Sequence, residues 1–423
     1  MYNKTTLPNG LTLLTAPKSG TQAVTVLVML PVGSRYESAN LNGVSHFIEH
    51  MMFKGTDRRP TSLDLTKELD SVGAEFNAFT AKDHTGYYVK IAADKVELAF
   101  DILSDMLFHS KIDAAELEKE RGVIIEEINM YEDNPLLYIE SLFEQAVFAP
   151  HPLGWQIAGS ASVIKKISRN AMLNYYQSHY NLSNLFLTVA GNFDEKKIKS
   201  LTAKYFNSPA GKNKKNKYSV FILKQSKPNL TLRYKNTNQV QLCLGFPAFN
   251  YEHKDIDALH LLEVILGGNM SSRLFTEIRE HHGLAYFIKA STNIYQDTGS
   301  FVIHAGLDKN RLFQAIKIIL SELKKIKNSG VTAAELKDAK QYLAGKLTLD
   351  IEDSENVAAW YSRQALLTKK ILTPAARLEK IKKMNISGLN RVARKIFKTA
   401  KLNLALIGPF RDKSQFKKLF KNL

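Results

Sequence analysis

The chain has 423 residues, 44% of them apolar and 23% charged, which is typical of a folded globular protein but too long for a single ordinary core. No apolar run approaches the roughly 20 residues that span a bilayer, and the start of the chain lacks a secretory signal pattern. A single cysteine, Cys243, excludes an internal disulfide and a cysteine-based metal site. We therefore expect a cytoplasmic protein, with an organelle matrix or the periplasm less favoured.

The net charge of +17 is unevenly distributed along the chain. Residues 1–210 carry 20 Lys and Arg against 24 Asp and Glu, whereas residues 211–423 carry 38 against 17. The basic residues are spread over several predicted helices, without a helix-turn-helix, zinc-finger or RNA-recognition motif. The sequence therefore predicts no nucleic-acid partner and no membrane partner. Either the basic half has a solvated surface, or it docks against an acidic half.

In chain order, each half of the sequence reads as a strand, two helices, two strands, a helix, a longer helical stretch, and a closing strand and helix. The two halves resemble each other at a spacing of about 215 residues. Residues 46–52 read HFIEHMM and residues 260–266 read HLLEVIL, while TGYYVK at 85–90 matches TGSFVI at 298–303. This repeat predicts an α+β protein with two homologous domains, each a mostly antiparallel sheet covered by helices. We place the domains at 1–208 and 218–423, joined by a polar linker at 209–217.

The string H-F-I-E-H at residues 46–50 is the strongest chemical signal in the chain. Residues four apart share a helix face, so His46 and His50 can offer two imidazoles to one metal ion. Glu49 can point into the same site and act on a water molecule there. This order is the inverted form of the commoner zinc-protease string. In the second copy His50 is replaced by Val264, which cannot bind a metal. The alternative is a surface helix that happens to carry two histidines.

A third protein ligand is needed for such a site, and the acidic helical run 116–128 offers two candidates. Glu120 and Glu127 are two helical turns apart, so both can face one site. In the second copy they fall on Ala339 and near Lys346. Taken alone, the run favours an exposed, salt-bridged helix over a metal site.

Together these motifs resemble the pitrilysin family of inverzincin metallopeptidases. The chain is similar to its compact two-domain form, represented by the β subunit of mitochondrial processing peptidase and its bacterial relatives. In that family H-x-x-E-H is followed about 76 residues later by a glutamate ligand, and here 76 residues separate His50 from Glu127. The resemblance implies one Zn²⁺ per chain, bound by His46, His50 and Glu127. It implies that Glu49 is the general base and that Glu120 orients or tunes the site.

The resemblance also implies a strand that binds the substrate. N-A-F-T at 77–80 resembles the edge strand to which family members add the peptide backbone, so Asn77, Ala78 and Phe79 are the expected substrate-binding residues. The alternative is an ordinary strand end.

In the second half, residues 267–286 resemble the segment whose Arg and Tyr complete the family's active site. Arg279 would bind substrate carbonyl or carboxylate groups, and Tyr286 would donate to an oxyanion. Alternatively, Arg279 pairs with Glu277 or Glu280 on the surface, and Tyr286 belongs to the core.

These expectations lead to a zinc-dependent endopeptidase that cleaves extended, unfolded peptides or precursor segments. The resemblance favours a homodimer in which the zinc half of one chain meets the Arg/Tyr half of another. One alternative is a non-catalytic structural or binding subunit of the same family. A second is a nucleic-acid-binding protein that uses the basic half.

Overall fold

The structure, a computed structural model, describes residues 2–207 and 216–422, and its contacts divide the chain into two units. Unit 1 consists of the chain up to Asn129, Trp155–Ser219 and Thr348–Thr373; unit 2 consists of Met130–Gly154, Val220–Leu347 and the chain from Pro374. Of the predicted linker 209–217, all but Asn216 and Lys217 lies outside the described residues. The domain limits at 208 and 218, which follow from the two repeated halves of the sequence, stay a prediction. Each unit also takes one segment from the other half of the sequence.

Eleven strands occur among the described residues: β1 Asn3–Thr6, β2 Thr12–Pro17, β3 Ala23–Leu30, β4 Glu75–Thr80, β5 Thr85–Ala92, β6 Phe186–Gly191, β7 Asn229–Tyr234, β8 Gln239–Ala248, β9 Ala285–Ile294, β10 Gly299–Asp308 and β11 Asn403–Gly408. The α-helices in the same part of the chain are α1 Val44–Met52, α2 Ser62–Asp70, α3 Val96–His109, α4 Ala114–Asp133, α5 Pro135–Phe148, α6 Ala161–Ile164, α7 Arg169–His179, α8 Glu195–Tyr205, α9 Ile256–Glu263, α10 Leu312–Ser329, α11 Ala333–Asp350, α12 Ser354–Leu367, α13 Pro374–Lys382, α14 Ile386–Ile396 and α15 Ser414–Lys417. Two π-helical turns, Val264–Gly268 and Phe275–His281, follow α9.

Unit 1 is built on a six-stranded sheet in the order β1-β2-β6-β3-β5-β4. Only β2 and β6 pair in parallel, and all other neighbours are antiparallel. Strand β3 is an almost continuous apolar run because both faces of the sheet are covered. Val26 and Val28 pack into the core with α1 and α3, whereas Leu27 and Met29 pack against α12 on the opposite face.

Unit 2 repeats this design with a five-stranded sheet in the order β7-β11-β8-β10-β9. The order is that of unit 1 without β1, and again one pair, β7 with β11, is parallel. Helices α9, α10 and α14 cover one face. Helix α5 covers the other face, where Phe143 and Phe148 contact Cys243 and Val302. The predicted fold, two similar α+β domains with mostly antiparallel sheets, is confirmed.

Helix α12 in unit 1 and helix α5 in unit 2 have corresponding positions, because each covers the face of its sheet opposite the larger helical layer. In the sequence, however, α5 belongs to the first half and α12 to the second. Both begin at side-chain caps: Asn134 accepts from the Leu136 amide, and Asp353 accepts from the Glu355 amide at 2.7 Å. Among the described residues, no helix combines the length and apolar character needed to cross a membrane.

Candidate metal centre

Helix α1 carries the H-F-I-E-H string and is anchored at its N-terminus by Glu37. The Glu37 carboxyl accepts hydrogen bonds from the Gly43 amide at 2.7 Å, the Ser45 amide at 2.8 Å and the Asn42 side chain at 2.9 Å. Gly43 has φ +99°, and a Cβ there would lie 2.5 Å from the carbonyl oxygen of Ala158. Burial raises the pKa of Glu37 to about 7, even though the three N–H donors lower it. The hydrogen bonds to Glu37 and the tight backbone contact of Gly43 therefore fix the direction of α1 from its first turn.

Three possible metal ligands converge beside α1. Nε2 of His46 lies 3.3 Å from Nε2 of His50, and Oε2 of Glu127 on α4 lies 3.6 Å from both nitrogens. Tetrahedral zinc with bonds of 2.0–2.1 Å would separate its ligand atoms by about 3.3 Å. The spacing of the three donors therefore fits zinc. It is the one group of three or more His, Cys, Asp or Glu side chains in the described part of the chain that could hold a metal ion.

Burial shifts the pKa values of His46 and Glu127 in opposite directions. Burial, with a smaller contribution from His50, lowers the pKa of His46 to about 4, so its imidazole is neutral near pH 7. Burial also raises the pKa of Glu127, and the nearby Glu120 raises it further. A cation between the three donors would offset the cost of burying the Glu127 carboxylate.

Glu120 lies behind His50 and contacts its other ring nitrogen. The distance from Glu120 Oε1 to His50 Nδ1 is 2.8 Å, and Lys54 Nζ lies 2.5 Å from Glu120 Oε2. Burial favours protonation of Glu120, but its hydrogen bonds with His50 and Lys54 outweigh this and lower its pKa. With a hydrogen bond from Nδ1–H of His50 to this carboxylate, the lone pair of His50 Nε2 is free to bind a metal ion together with His46 and Glu127.

Glu49 stays outside the group of three ligands but lies next to it. Its Oε2 accepts a hydrogen bond from the Thr80 hydroxyl at 2.5 Å. Burial is the largest cause that raises the pKa of Glu49, and Glu127 adds to it, while Thr80 and His50 oppose it. A carboxyl group with a raised pKa beside a metal site is a candidate for proton transfer.

The predicted substrate strand, β4, is the last strand of its sheet, and among the described residues it pairs with β5 alone. The Ala78 amide donates to the Asn77 side chain at 2.8 Å, so this N–H is not used in the ladder with β5. Asn77 thereby covers an edge donor that would otherwise be open. Phe79 lies over Gly86 on β5, where a Cβ would come within 2.3 Å of the ring. Thr80, the last residue of β4, is the residue that holds Glu49.

Arg279 and Tyr286 lie close together on unit 2. Tyr286, at the start of β9, is 77% exposed, so it is not a core residue. The Arg279 guanidinium lies 5.7 Å from the centre of the Tyr286 ring and 4.8 Å from that of Phe275. Glu280 approaches Arg279 only to 3.9 Å. Both side chains are thus available at the surface of their unit.

The second copy of the motif has no metal site in the described residues. Val264 is buried in the core of unit 2, and so is Ala339, which stands where α4 has Glu120. His260 and Glu263 remain, and Glu263 accepts a hydrogen bond from Thr292 on β9. The second half therefore keeps the helix–strand contact and the counterpart of His46, and it lacks the counterparts of His50 and Glu127.

Comparisons with known proteins give the family of the chain. Residues 12–161 match the family described as Insulinase (Peptidase family M16), and residues 166–343 match the Peptidase M16 inactive domain. The chain belongs to peptidase family M16. The resemblance to pitrilysin-type zinc peptidases of compact, two-domain form is confirmed.

Relatives of this M16 protein include several named as zinc proteases. It is 34% identical to the uncharacterized zinc protease YmxG of Bacillus subtilis over 409 residues, which cover 97% of this chain and 98% of that one. It is 33% identical to an uncharacterized zinc protease of Rickettsia felis over 411 residues, with 96% and 98% covered. A Helicobacter pylori protease has the same fold, with a TM-score of 0.90 at 24% identity over 97% of this chain and 99% of that one.

Sequence reasoning missed three residues that support the site: Glu37, Lys54 and Thr80. Thr80 belongs to the N-A-F-T string, but its partner Glu49 is 31 positions away in sequence. Lys54 follows His50 by four residues, which places it near that histidine, but nothing local indicates that it reaches Glu120. Glu37 reads as a surface acid, although only 5% of it is exposed.

Proposed function

We propose that this protein is a zinc-dependent endopeptidase that hydrolyses peptide bonds in extended, unfolded peptides or precursor segments. The observation that carries the proposal is the convergence of His46, His50 and Glu127 beside Glu49. Three protein donors leave one position of a tetrahedral ion open, which is the arrangement of catalytic zinc sites. The names of the relatives as zinc proteases support the same metal.

Zinc bound here, one ion per chain, would acidify water and polarise a carbonyl group. Glu49 would take up the proton of the attacking water and deliver it to the leaving amine, as its raised pKa allows. The hydrogen bond from Thr80 would hold the Glu49 carboxyl in position for both transfers. Glu120 would orient His50 through the Nδ1 contact.

The substrate would bind as an added strand along β4. In the antiparallel register with β5, the backbone groups of Ala78 face the open edge. They would pair with a peptide in extended form once Asn77 releases the Ala78 amide, and Asn77 and Phe79 would flank this contact. Main-chain pairing of this kind gives affinity without a demand for one sequence, and it requires an unfolded segment. A folded protein would therefore be a poor substrate.

Arg279 and Tyr286 would bind the substrate and so complete the active site. A guanidinium can bind backbone carbonyl or carboxylate groups, and a phenol can donate to the oxyanion of a tetrahedral intermediate. We further propose a homodimer in which these residues act on substrate held by the zinc-binding half of a second chain. Mixing an inactive Glu49→Gln chain with an inactive Tyr286→Phe chain should then restore part of the activity.

The test is metal content together with cleavage of an unstructured quenched-fluorescent peptide. We expect about one zinc per chain, activity that is lost to a chelator and restored by zinc, and a Glu49→Gln variant that keeps zinc but does not cleave. Glu126→Gln is the matched control, because Glu126 is exposed on α4. Zinc binding without cleavage of any unstructured peptide would instead support the alternative, a non-catalytic subunit.

A further inference from the structure

Lys54 contacts Glu120 at the candidate metal centre, and the proposed function gives this contact no role. Lys54 follows the end of α1, four residues after His50, and its Nζ lies 2.5 Å from Oε2 of Glu120. The other oxygen of Glu120 lies 2.8 Å from His50 Nδ1. The Glu120 side chain is only 7% exposed, so both of its oxygens need partners within the protein.

We infer that Lys54 is a positioning residue for the metal centre: by binding one oxygen of Glu120 it holds the other against His50 Nδ1, and so directs His50 Nε2 toward the metal. This inference rests on the proposed function, because it assigns Lys54 a task at the same site. Lys54 itself does not contact the three ligand atoms.

Two physical reasons support this role. A carboxyl group that is held at one oxygen only can rotate and lose its second hydrogen bond, whereas contacts at both oxygens fix its plane. Lys54 also adds a positive charge to a centre with three carboxyl groups, those of Glu49, Glu120 and Glu127. Removal of a partner from a buried ion pair leaves an uncompensated charge, which favours rearrangement of the side chain that remains.

The internal repeat points in the same direction. In the register that places His50 on Val264, Lys54 falls on Gly268. In the register that places Ala114 on Ala333, at the start of the matching helices, Glu120 falls on Ala339. All three members of the series Lys54–Glu120–His50 are therefore replaced in the copy that has lost two of its three ligands. A lysine needed only for the fold of the repeated unit would have the same task in both copies.

The experiment measures zinc affinity by competition with a chromophoric chelator, on the purified full-length protein. Lys54→Met removes the charge and keeps much of the apolar stem. The matched control is Lys119→Met, because Lys119 also lies 2.5 Å from a glutamate, Glu116, but in an exposed pair. Lys54→Arg keeps the charge. We expect Lys54→Met to weaken zinc binding about 10-fold to 100-fold, Lys119→Met to leave it within about 2-fold, and Lys54→Arg to recover most of the loss.

A Lys54→Met protein that binds zinc as tightly as the wild type would overturn the inference and leave the proposed function intact. If the wild type binds no zinc, the proposed function fails, and the inference fails with it. Thermal unfolding of the zinc-free variants separates stability from positioning, since a purely structural lysine would lower stability without changing zinc affinity. If Lys54→Met does not fold, Lys54→Gln takes its place, and equal affinity in the Gln and Arg variants would contradict the role of the charge.

Discussion

The Thr80 hydroxyl donates to the Glu49 carboxyl at 2.5 Å and thereby links the end of an edge strand to the helix that carries both histidines. The strand that we propose binds the substrate is thus tied directly to the group that we propose moves the proton. Thr80→Val removes the donor with little change in volume. Hydrogen bonds to charged groups contribute about 1.5–3 kcal/mol, so we expect kcat to fall about 10-fold to 100-fold with zinc content unchanged.

Thr80→Ser is the matched control for this prediction, because it keeps the hydroxyl group and should keep most of the activity. Peptide cleavage under saturating substrate is the measurement. Equal activity in the Val and wild-type proteins would show that Glu49 needs no help from Thr80.

Glu127 is the third proposed zinc ligand, and its replacement should prevent zinc binding. Glu127→Gln replaces an anionic oxygen by a neutral amide oxygen, which is a much weaker ligand for zinc. We expect zinc content after dialysis to fall from about one ion per chain to well below one, with cleavage lost in parallel. Metal analysis of Glu127→Gln beside Glu126→Gln, its exposed neighbour, is the check. Full zinc content in Glu127→Gln would mean that another residue is the third ligand.

The sequence predicts most of this centre because its main relationships are local or follow from a fixed spacing. His46 and His50 share a face of one helix, and the resemblance to pitrilysin-type peptidases implies Glu127, because 76 residues separate it from His50. The Lys54–Glu120 pair could not be predicted, since it joins two charged residues that each resemble surface residues in sequence. The role of Glu37 could not be predicted for the same reason. Its burial depends on Asn42, Gly43 and Ser45, which fold around it.

The fold class was predictable from the repeat. The sequence did not predict that α5, from the first half, packs in unit 2, or that α12, from the second half, packs in unit 1. The apolar residues of a helix show that one face must be covered, and they do not show which sheet covers it. In α5 the inward residues include Phe143 and Phe148, large apolar side chains that either sheet could accept. The observed packing also includes contacts between residues distant in sequence, such as the pairing of Glu140 on α5 with His304 on β10 at 3.1 Å.

Glu37 should make stability depend on pH in an unusual direction. Its pKa in the folded protein is about 7, above the ordinary value of 4.5. The folded state therefore favours the protonated form. The stability that Glu37 contributes is fully present below about pH 4.5 and is lost as the pH rises through 7. Relative to Glu37→Gln, the wild type should lose up to about 3 kcal/mol of unfolding free energy over this range.

Urea unfolding of the zinc-free wild type and the Glu37→Gln variant, compared from pH 5 to 8, measures this difference. The comparison removes the contribution of other groups that titrate in the same range. A difference that stays constant with pH, or that changes in the opposite direction, would mean that the three N–H donors keep Glu37 ionised throughout.

Ala78 offers a test of the proposed substrate strand that leaves the metal centre alone. Its amide donates to the Asn77 side chain and not to β5, so Ala78→Pro removes a donor at the open edge without breaking the ladder of the sheet. A peptide added to β4 would lose one main-chain hydrogen bond and would meet the proline ring. We expect kcat/KM for an unstructured peptide to fall at least about 10-fold, with zinc content and thermal stability close to those of the wild type. Because the lost contact is to the peptide backbone, the decrease in kcat/KM should be similar for peptides of different sequence. A decrease confined to one peptide would indicate a side-chain pocket instead. Unchanged kcat/KM would mean that the substrate does not bind along β4.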